Sequence, residues 1–479
     1  MKEPKKSPLY ERFAQELEGQ IRAGTFPVNS RIPSIRESSV QRGISFSTVL
    51  QAYQVLETRG IIEARPQSGY YVKLQSRKPL PEPDFEPLQG DPTSISIDEV
   101  SLRLIHDTIN LDFAQFGAAL PDPDLLPSTK LNRILAELAR DGKFPHHVGE
   151  AVQGREDLRI QVAQRAFSYG CDISPSEIVI TAGCTEALHI CLQAVCKPGD
   201  LVAIESPAYF GILLAIESLH LRVIEIPSHP RKGLSLDALR FAVENHPIKA
   251  VVAMTNFSNP TGSLMEDEDK RELVEILSAR EIPLIEDDIN GELHFSDRRP
   301  QVAKSFDKDG LVMLCSSFSK DISPGFRIGW VAPGRFYREV QCQKYALNIR
   351  TSVLPQLTIA RFLESGGYDH HLRKIRRAYA QKVELMSAAI LHHFPEGTRI
   401  TEPGGGFVLW VQLPGKLDSM LLYQEALRAF IAIAPGYIFS PTHKFNDFVR
   451  LNASCWSDKA EVDVARLGKL AKNLLSGKR

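Results

Sequence analysis

From about residue 110 onward, short runs of aliphatic and β-branched residues alternate with longer stretches whose apolar positions recur at helical spacing. The short runs are EIVIT (177 to 181), LVAIE (201 to 205), RVIEI (222 to 226), KAVVAMT (249 to 255), IPLIED (282 to 287), LVMLCS (311 to 316) and RIGWVA (327 to 332). Runs this apolar belong to strands covered on both faces, so the alternation predicts an α/β unit, a mostly parallel central sheet between helices. The first 75 residues follow another pattern. Ser34 is placed to cap a short helix that starts at Ile35, Gly43 marks a turn, and Ser45 opens a second helix through Ala52, Tyr53, Leu56 and Glu57. GIIEAR (60 to 65) and SGYYV (68 to 72) then read as the two strands of a wing, which makes this segment an α+β winged helix-turn-helix. Between the two patterns, residues 76 to 108 are rich in Pro, Asp, Glu and Ser, and Pro79, Pro81, Pro83 and Pro87 stiffen what reads as an extended linker. The expected division is therefore 1–75, 76–108 and 109–479.

Composition is that of a soluble globular protein, and a net charge of −1 by itself names no polyanionic partner. Its distribution does. Residues 1 to 78 hold 13 Lys and Arg against 7 Asp and Glu, a surplus that points one end of the chain at double-stranded DNA. The 7 cysteines include no CxxC pair, and no His/Cys cluster has metal-ligand spacing, so no metal is expected. With no signal-peptide core and no run of 18 apolar residues, the expected location is a reduced cytoplasm.

In a helix-turn-helix the first residues of the second helix face base edges and phosphates, which here selects Ser45, Ser47 and Thr48. Residues 9 to 72 resemble the winged helix-turn-helix of the GntR regulators in the ordered blocks LYERFAQELEGQIRAGTF, RIPSIRESSV and ARPQSGYYV. That resemblance implies that Arg31 and Arg36 hold phosphates or bases and that Gln67 and Ser68 lie at the wing. Phe46 departs from it, standing where the family has a polar or arginine residue, so readout there is expected to be apolar, as to a thymine methyl.

The second region carries a different chemistry. In SSFSKDISPGFRIGW (316 to 330), Lys320 is an amine flanked by the hydroxyls of Ser317 and Ser319 and the guanidinium of Arg327, a spacing suited to an aldimine-forming lysine beside a phosphate clamp. TAGCTEAL (181 to 188) follows a strand and opens a helix, so the backbone around Gly183, Cys184 and Thr185 can bind a phosphate. The lysine segment resembles the active-site segment of pyridoxal-phosphate proteins of the aspartate aminotransferase fold. The resemblance extends over residues 110 to 475 through ESPAY (205 to 209), SNPTG (258 to 262), EDDING (286 to 291), GGYDHHLRKIRRAY (366 to 379) and PGGGFVLW (403 to 410). It implies fold type I with a small C-terminal α+β subdomain and pyridoxal 5'-phosphate as cofactor. By the same resemblance Tyr209 stacks on the cofactor ring, Asn259 donates to its ring oxygen, Asp287 pairs with its pyridinium nitrogen, and Arg450 clamps the carboxylate of an amino-acid effector.

With the GntR-like head, the whole chain resembles the MocR-type bacterial transcription regulators, which implies a homodimer. Two departures bear on activity: Asn290 replaces the tyrosine that commonly follows the ring-nitrogen aspartate, and HHVG (146 to 149) lacks the Tyr-Gly that reaches the neighbouring subunit's phosphate. Both spare imine formation and weaken catalysis. The expectation is a regulator that senses an amino acid or amine by aldimine exchange at Lys320, with at most weak aminotransferase activity. A working aminotransferase with an appended DNA module, and a regulator whose cofactor is only structural, are the alternatives.

Overall fold

The structure is a computed structural model that describes residues 8–22, 25–26, 30–58, 61–65, 68–72, 81–84, 92–95, 106, 112–140 and 152–477. The chain divides into two compact units, Met1–Leu80 and Pro81–Arg479.

The first unit is three helices and a wing. Helix Ile35–Arg42 begins at a capping box in which Ser34 Oγ accepts from Glu37 N and the Glu37 carboxylate accepts from Ser34 N, and it stops at Gly43 in the left-handed conformation (φ 64). Helix Phe46–Thr58 starts at Ser45, whose Oγ accepts from Thr48 N at 3.2 Å. Strands Ile62–Arg65 and Gly69–Val72 pair antiparallel, with Arg31 bridging to Tyr71 at the edge. The core is the apolar face of Leu9–Arg22 (Phe13, Ala14, Leu17, Ile21) packed on Val49, Ala52, Tyr53 and Leu56, closed by Ile32, Ile62 and Val72. Tyr53 is fully buried, and its hydroxyl donates to Pro33 O at 2.7 Å and meets Ser38 Oγ at 2.9 Å.

The second unit is organised on a sheet whose order is Thr93–Ser94, Arg222–His229, Leu201–Ser206, Ile248–Ala253, Leu284–Asp287, Val312–Ser317, Gly329–Ala332, Val179–Thr181. All seven apolar runs named above are strands of it. The five from Arg222–His229 to Val312–Ser317 are mutually parallel, and Gly329–Ala332 runs antiparallel to both of its neighbours. One core lies on each face, including Leu188, Ile204, Ile285 and Met313 on one side and Ala203, Leu239, Val251 and Leu284 on the other. This is why the strands read as unbroken apolar runs. A smaller sheet of Arg399–Ile400, Val408–Gln412, Phe448–Asn452 and Ala434–Pro435 forms the C-terminal α+β part.

The described parts of the Pro-rich stretch lie on this second unit. Pro81 O accepts from Ile400 N at 3.2 Å, Asp84 pairs with Arg399 and Gln412, and Thr93–Ser94 forms an edge strand on Arg222–His229. The second compact unit thus begins at Pro81, within the stretch read as linker. Among the described residues no helix is long and apolar enough to cross a membrane, and no group of His, Cys, Asp or Glu is placed to hold a metal.

Candidate functional site

The topology brings the cofactor candidates to one edge. Cys184, Tyr209, Asn259, Asp287 and Lys320 follow, or end, strands that run in the same direction, so all lie at carboxyl ends of the sheet. Arg327 reaches the same edge because Gly329–Ala332, which it precedes, runs the other way. Cys184, Thr185, Tyr209, Asn259, Asp287, Asn290, Lys320 and Arg450 line one cavity of about 220 Å³, closed by Leu188, Met254, Ile289 and Phe407.

Three consecutive acids show how strand geometry selects one of them. Side chains alternate across a strand. Glu286 takes Thr255 Oγ1 and the amides of Ala303 and Lys304, and Asp288 takes Asn256 and Arg299, all away from the cavity. Asp287 points into it. Its Oδ1 accepts from Cys184 Sγ at 3.3 Å and Ile289 N at 3.1 Å, and burial raises its pKa to about 6. Burial, reinforced by Arg450 and opposed by Asp287, lowers the Lys320 pKa to about 8, and Lys320 Nζ donates to Ala119 O.

At the other end, Gly183 (φ 88) precedes helix Cys184–Val195, leaving the first amides of that helix open to an anion. A Cβ on Gly183 would lie 2.5 Å from Arg327 Nη2 and push aside the guanidinium, which donates to Ala182 O and Ser319 Oγ. Ser317 and Ser319 are buried beside the cavity and do not line it. Ser317 Oγ donates to Ile328 O at 2.9 Å, accepts from Ser319 N and meets Ser319 Oγ, so it shapes the turn that presents Ser319.

Arg450 is almost fully buried. It donates to Asn259 Oδ1 at 3.0 Å and to Gly117 O, its Nε has no partner among the described residues, and burial lowers its pKa to about 10. Because a guanidinium only donates, this contact fixes the Asn259 amide with its NH₂ turned away from Arg450. The Asn290 NH₂ donates to Phe257 O at 2.9 Å. The Tyr209 ring folds back over Gly211, where a Cβ would lie 2.4 Å from it.

Sequence reasoning missed the segment 117–120, whose carbonyls receive Arg450, Lys320 and Asn452. It also missed Glu205, which is buried under Met254 N and Ser258 Oγ and pushed up to about 8 by burial. Carbonyl acceptors leave no sequence signal; an acid opening the ESPAY motif at the end of an apolar strand was the one available clue.

On the head, Arg31, Arg36, Ser45, Phe46, Ser47 and Ser68 are exposed and Thr48 is half-buried. Ser45 Oγ contacts Ser47 and Thr48 while capping the helix, and Ser68 Oγ meets Tyr71 Oη at 2.6 Å. Arg31 packs along Gly69, bringing the start of the helix-turn-helix to the wing. Gln67 lies outside the described residues.

Comparison with known proteins divides along the same line. Residues 139–466 match the family Aminotransferase class I and II, and residues 9–72 match Bacterial regulatory proteins, gntR family. The chain is 38% identical to the uncharacterized HTH-type transcriptional regulator YdcR of Escherichia coli (strain K12), over 97% of this chain and 99% of that one. Among solved structures, the multiple substrate aminotransferase of Thermococcus profundus superposes with a TM-score of 0.73 at 27% identity, covering 80% of this chain and 96% of that one. The α-aminoadipate aminotransferase LysN of Thermus thermophilus, solved with N-(5'-phosphopyridoxyl)-L-leucine, gives 0.72 at 26% identity, covering 78% and 95%.

Proposed function

The chain belongs to the Aminotransferase class I and II family and, with its gntR-family head, to the HTH-type transcriptional regulators, and on that premise we propose that it couples recognition of an amino compound at Lys320 to DNA binding. Its cofactor is pyridoxal phosphate. The residues present fit that group: Gly183 leaves room for Arg327, the amides opening Cys184–Val195 face an anion together with Ser319, and a buried carboxylate and a buried amine share the adjoining cavity. When bound, the cofactor supplies an aldehyde for an amine and a ring that draws electron density from it. Tyr209 is the stacking face, and the outward NH₂ of Asn259 is the donor to the ring oxygen. Asp287, with Oδ1 held by Cys184 and Ile289, keeps Oδ2 for a protonated ring nitrogen. Lys320 Nζ is neutral in part at pH 7, which suits it to yield to an incoming amine and to act as a base beside it.

The observation that carries the effector reading is the buried Nε of Arg450, without a partner among the described residues, on a side chain of the cavity wall, a donor that a carboxylate satisfies. Arg31, Arg36, Ser45, Ser47, Thr48, Gln67 and Ser68 contact a cytoplasmic DNA operator, with Phe46 as an apolar reader among them. The active form is a homodimer, in keeping with the exposed Tyr345, Leu347 and Ile349 at the end of helix Tyr337–Asn348, and residues 76–108 join head to effector domain. Titration with amino acids, followed by visible absorbance and by affinity for DNA selected from a random pool, tests the reading. A spectral change without any change in DNA affinity contradicts it.

The second reading is a working aminotransferase, favoured by Lys320 and Asp287 sharing one cavity. Against it stands Asn290, whose amide donates to Phe257 O where catalysis would use a phenol. Turnover with a keto acid near a typical enzyme's roughly 10 per second selects the enzyme.

A further inference from the structure

A second cavity, of about 200 Å³, lies beside the first and belongs to no part of the cofactor chemistry above. One wall is aromatic: Trp410 stacks on Phe448 at 5.1 Å and meets Phe445 edge-on at 5.8 Å. Prolines at 207, 227 and 230 form much of the rest. Two of the polar groups offer acceptors, Glu225 and Ser228. Glu225 is buried, with Oε1 taking Ser206 Oγ at 2.8 Å and Oε2 taking Thr442 Oγ1 and Lys444 Nζ, so Oε1 keeps a lone pair. The buried Ser228 Oγ has no partner among the described residues. Asp84 adds a second carboxylate, paired with Arg399 and Gln412, and Lys444, the one lysine of the lining, is paired with Glu225.

Pro83 and Asp84 close this cavity from the strap that follows Leu80, the last residue of the first unit. The aromatic wall backs onto a residue of the first cavity, Arg450. Trp410 pairs across the sheet with Arg450, and Phe439 touches both, at 5.3 Å from the indole and 5.2 Å from the guanidinium.

We propose that this cavity is a second ligand site, for a small aromatic amine, seated against the strap that leads to the DNA-binding head. Flat rings suit the Trp410, Phe445 and Phe448 wall, and an ammonium finds acceptors at Glu225 Oε1 and Ser228 Oγ, where an anion would meet the Glu225 carboxylate. A ligand here contacts Pro83 and Asp84 directly, so occupancy holds the strap in place.

The test uses holoprotein reduced with borohydride, in which amines can no longer exchange at Lys320, titrated with phenethylamine by calorimetry. The expected result is one site per chain, with phenylacetate at least tenfold weaker and amide exchange at Asp84 slowed. Ser228→Leu, which fills the cavity, and Phe445→Ala, which removes a ring from a half-buried position, should each lose at least tenfold in affinity with cofactor absorbance kept. Phe445→Ala decides the matter if Ser228→Leu fails to fold. No heat with phenethylamine, equal binding of phenylacetate, or undiminished affinity in Phe445→Ala overturns the site. Failure here leaves the amine response of unreduced protein, and with it the reading of Lys320, standing.

Discussion

At the scale of single residues, the site depends on how burial sets the pKa of Lys320. A lysine at about 8 leaves about a tenth of its amine neutral at pH 7, where an ordinary lysine near 10.4 leaves less than a thousandth. Only the neutral amine attacks an aldehyde. Covalent uptake of pyridoxal phosphate by cofactor-stripped protein should therefore rise about tenfold per pH unit and level off near pH 8. A rate still climbing at pH 10 contradicts the buried amine. Gly183 makes a second prediction. At φ 88 and ψ 173 a side chain costs on the order of 1–3 kcal/mol, and its Cβ would displace Arg327. Gly183→Ala should weaken cofactor binding at least tenfold by equilibrium dialysis while leaving DNA affinity unchanged.

At the scale of elements, the head relies on capping and on one buried tyrosine. Removing the capping-box hydroxyl in Ser34→Ala should cost about 1 kcal/mol, read as faster amide exchange in helix Ile35–Arg42. Unchanged exchange there would mean that Ser34 adds nothing to the helix. Arg36, exposed in the first turn after that cap, is placed for a phosphate. Arg36→Ala should lower the slope of log affinity against log salt by about one, and an identical slope removes Arg36 from the interface.

At the scale of the whole molecule, a regulator requires that amine and DNA affinities be linked, and linkage is reciprocal. If an amino acid changes affinity for selected DNA by a given factor, that DNA must change amino-acid affinity by the same factor, measured by absorbance titration with and without it. Arg450→Lys keeps the charge and loses the paired donors, so it should hold the cofactor and respond to amino acids at least tenfold more weakly, with simple amines unaffected. Undiminished amino-acid response in this variant would discard the carboxylate clamp.

Both folds, the order of the chemical motifs and most of the candidate site were legible in the chain alone. Local signals suffice for these: Ser34 and Gly43 bound a helix by their own hydrogen bonding and dihedral freedom, and strands covered on both faces must be apolar throughout. Whatever depends on residues remote in sequence was settled by packing instead. Packing turned Asp287 rather than Glu286 or Asp288 into the cavity, set the Asn259 amide through Arg450, and drew the 117–120 carbonyls around Lys320 and Arg450. It also laid Pro81–Asp84 on the second unit, where proline content had suggested only an extended linker. Burial lowers the Lys320 pKa and raises that of Asp287 for the same reason, since desolvation is a property of the assembled core and of no single segment of chain.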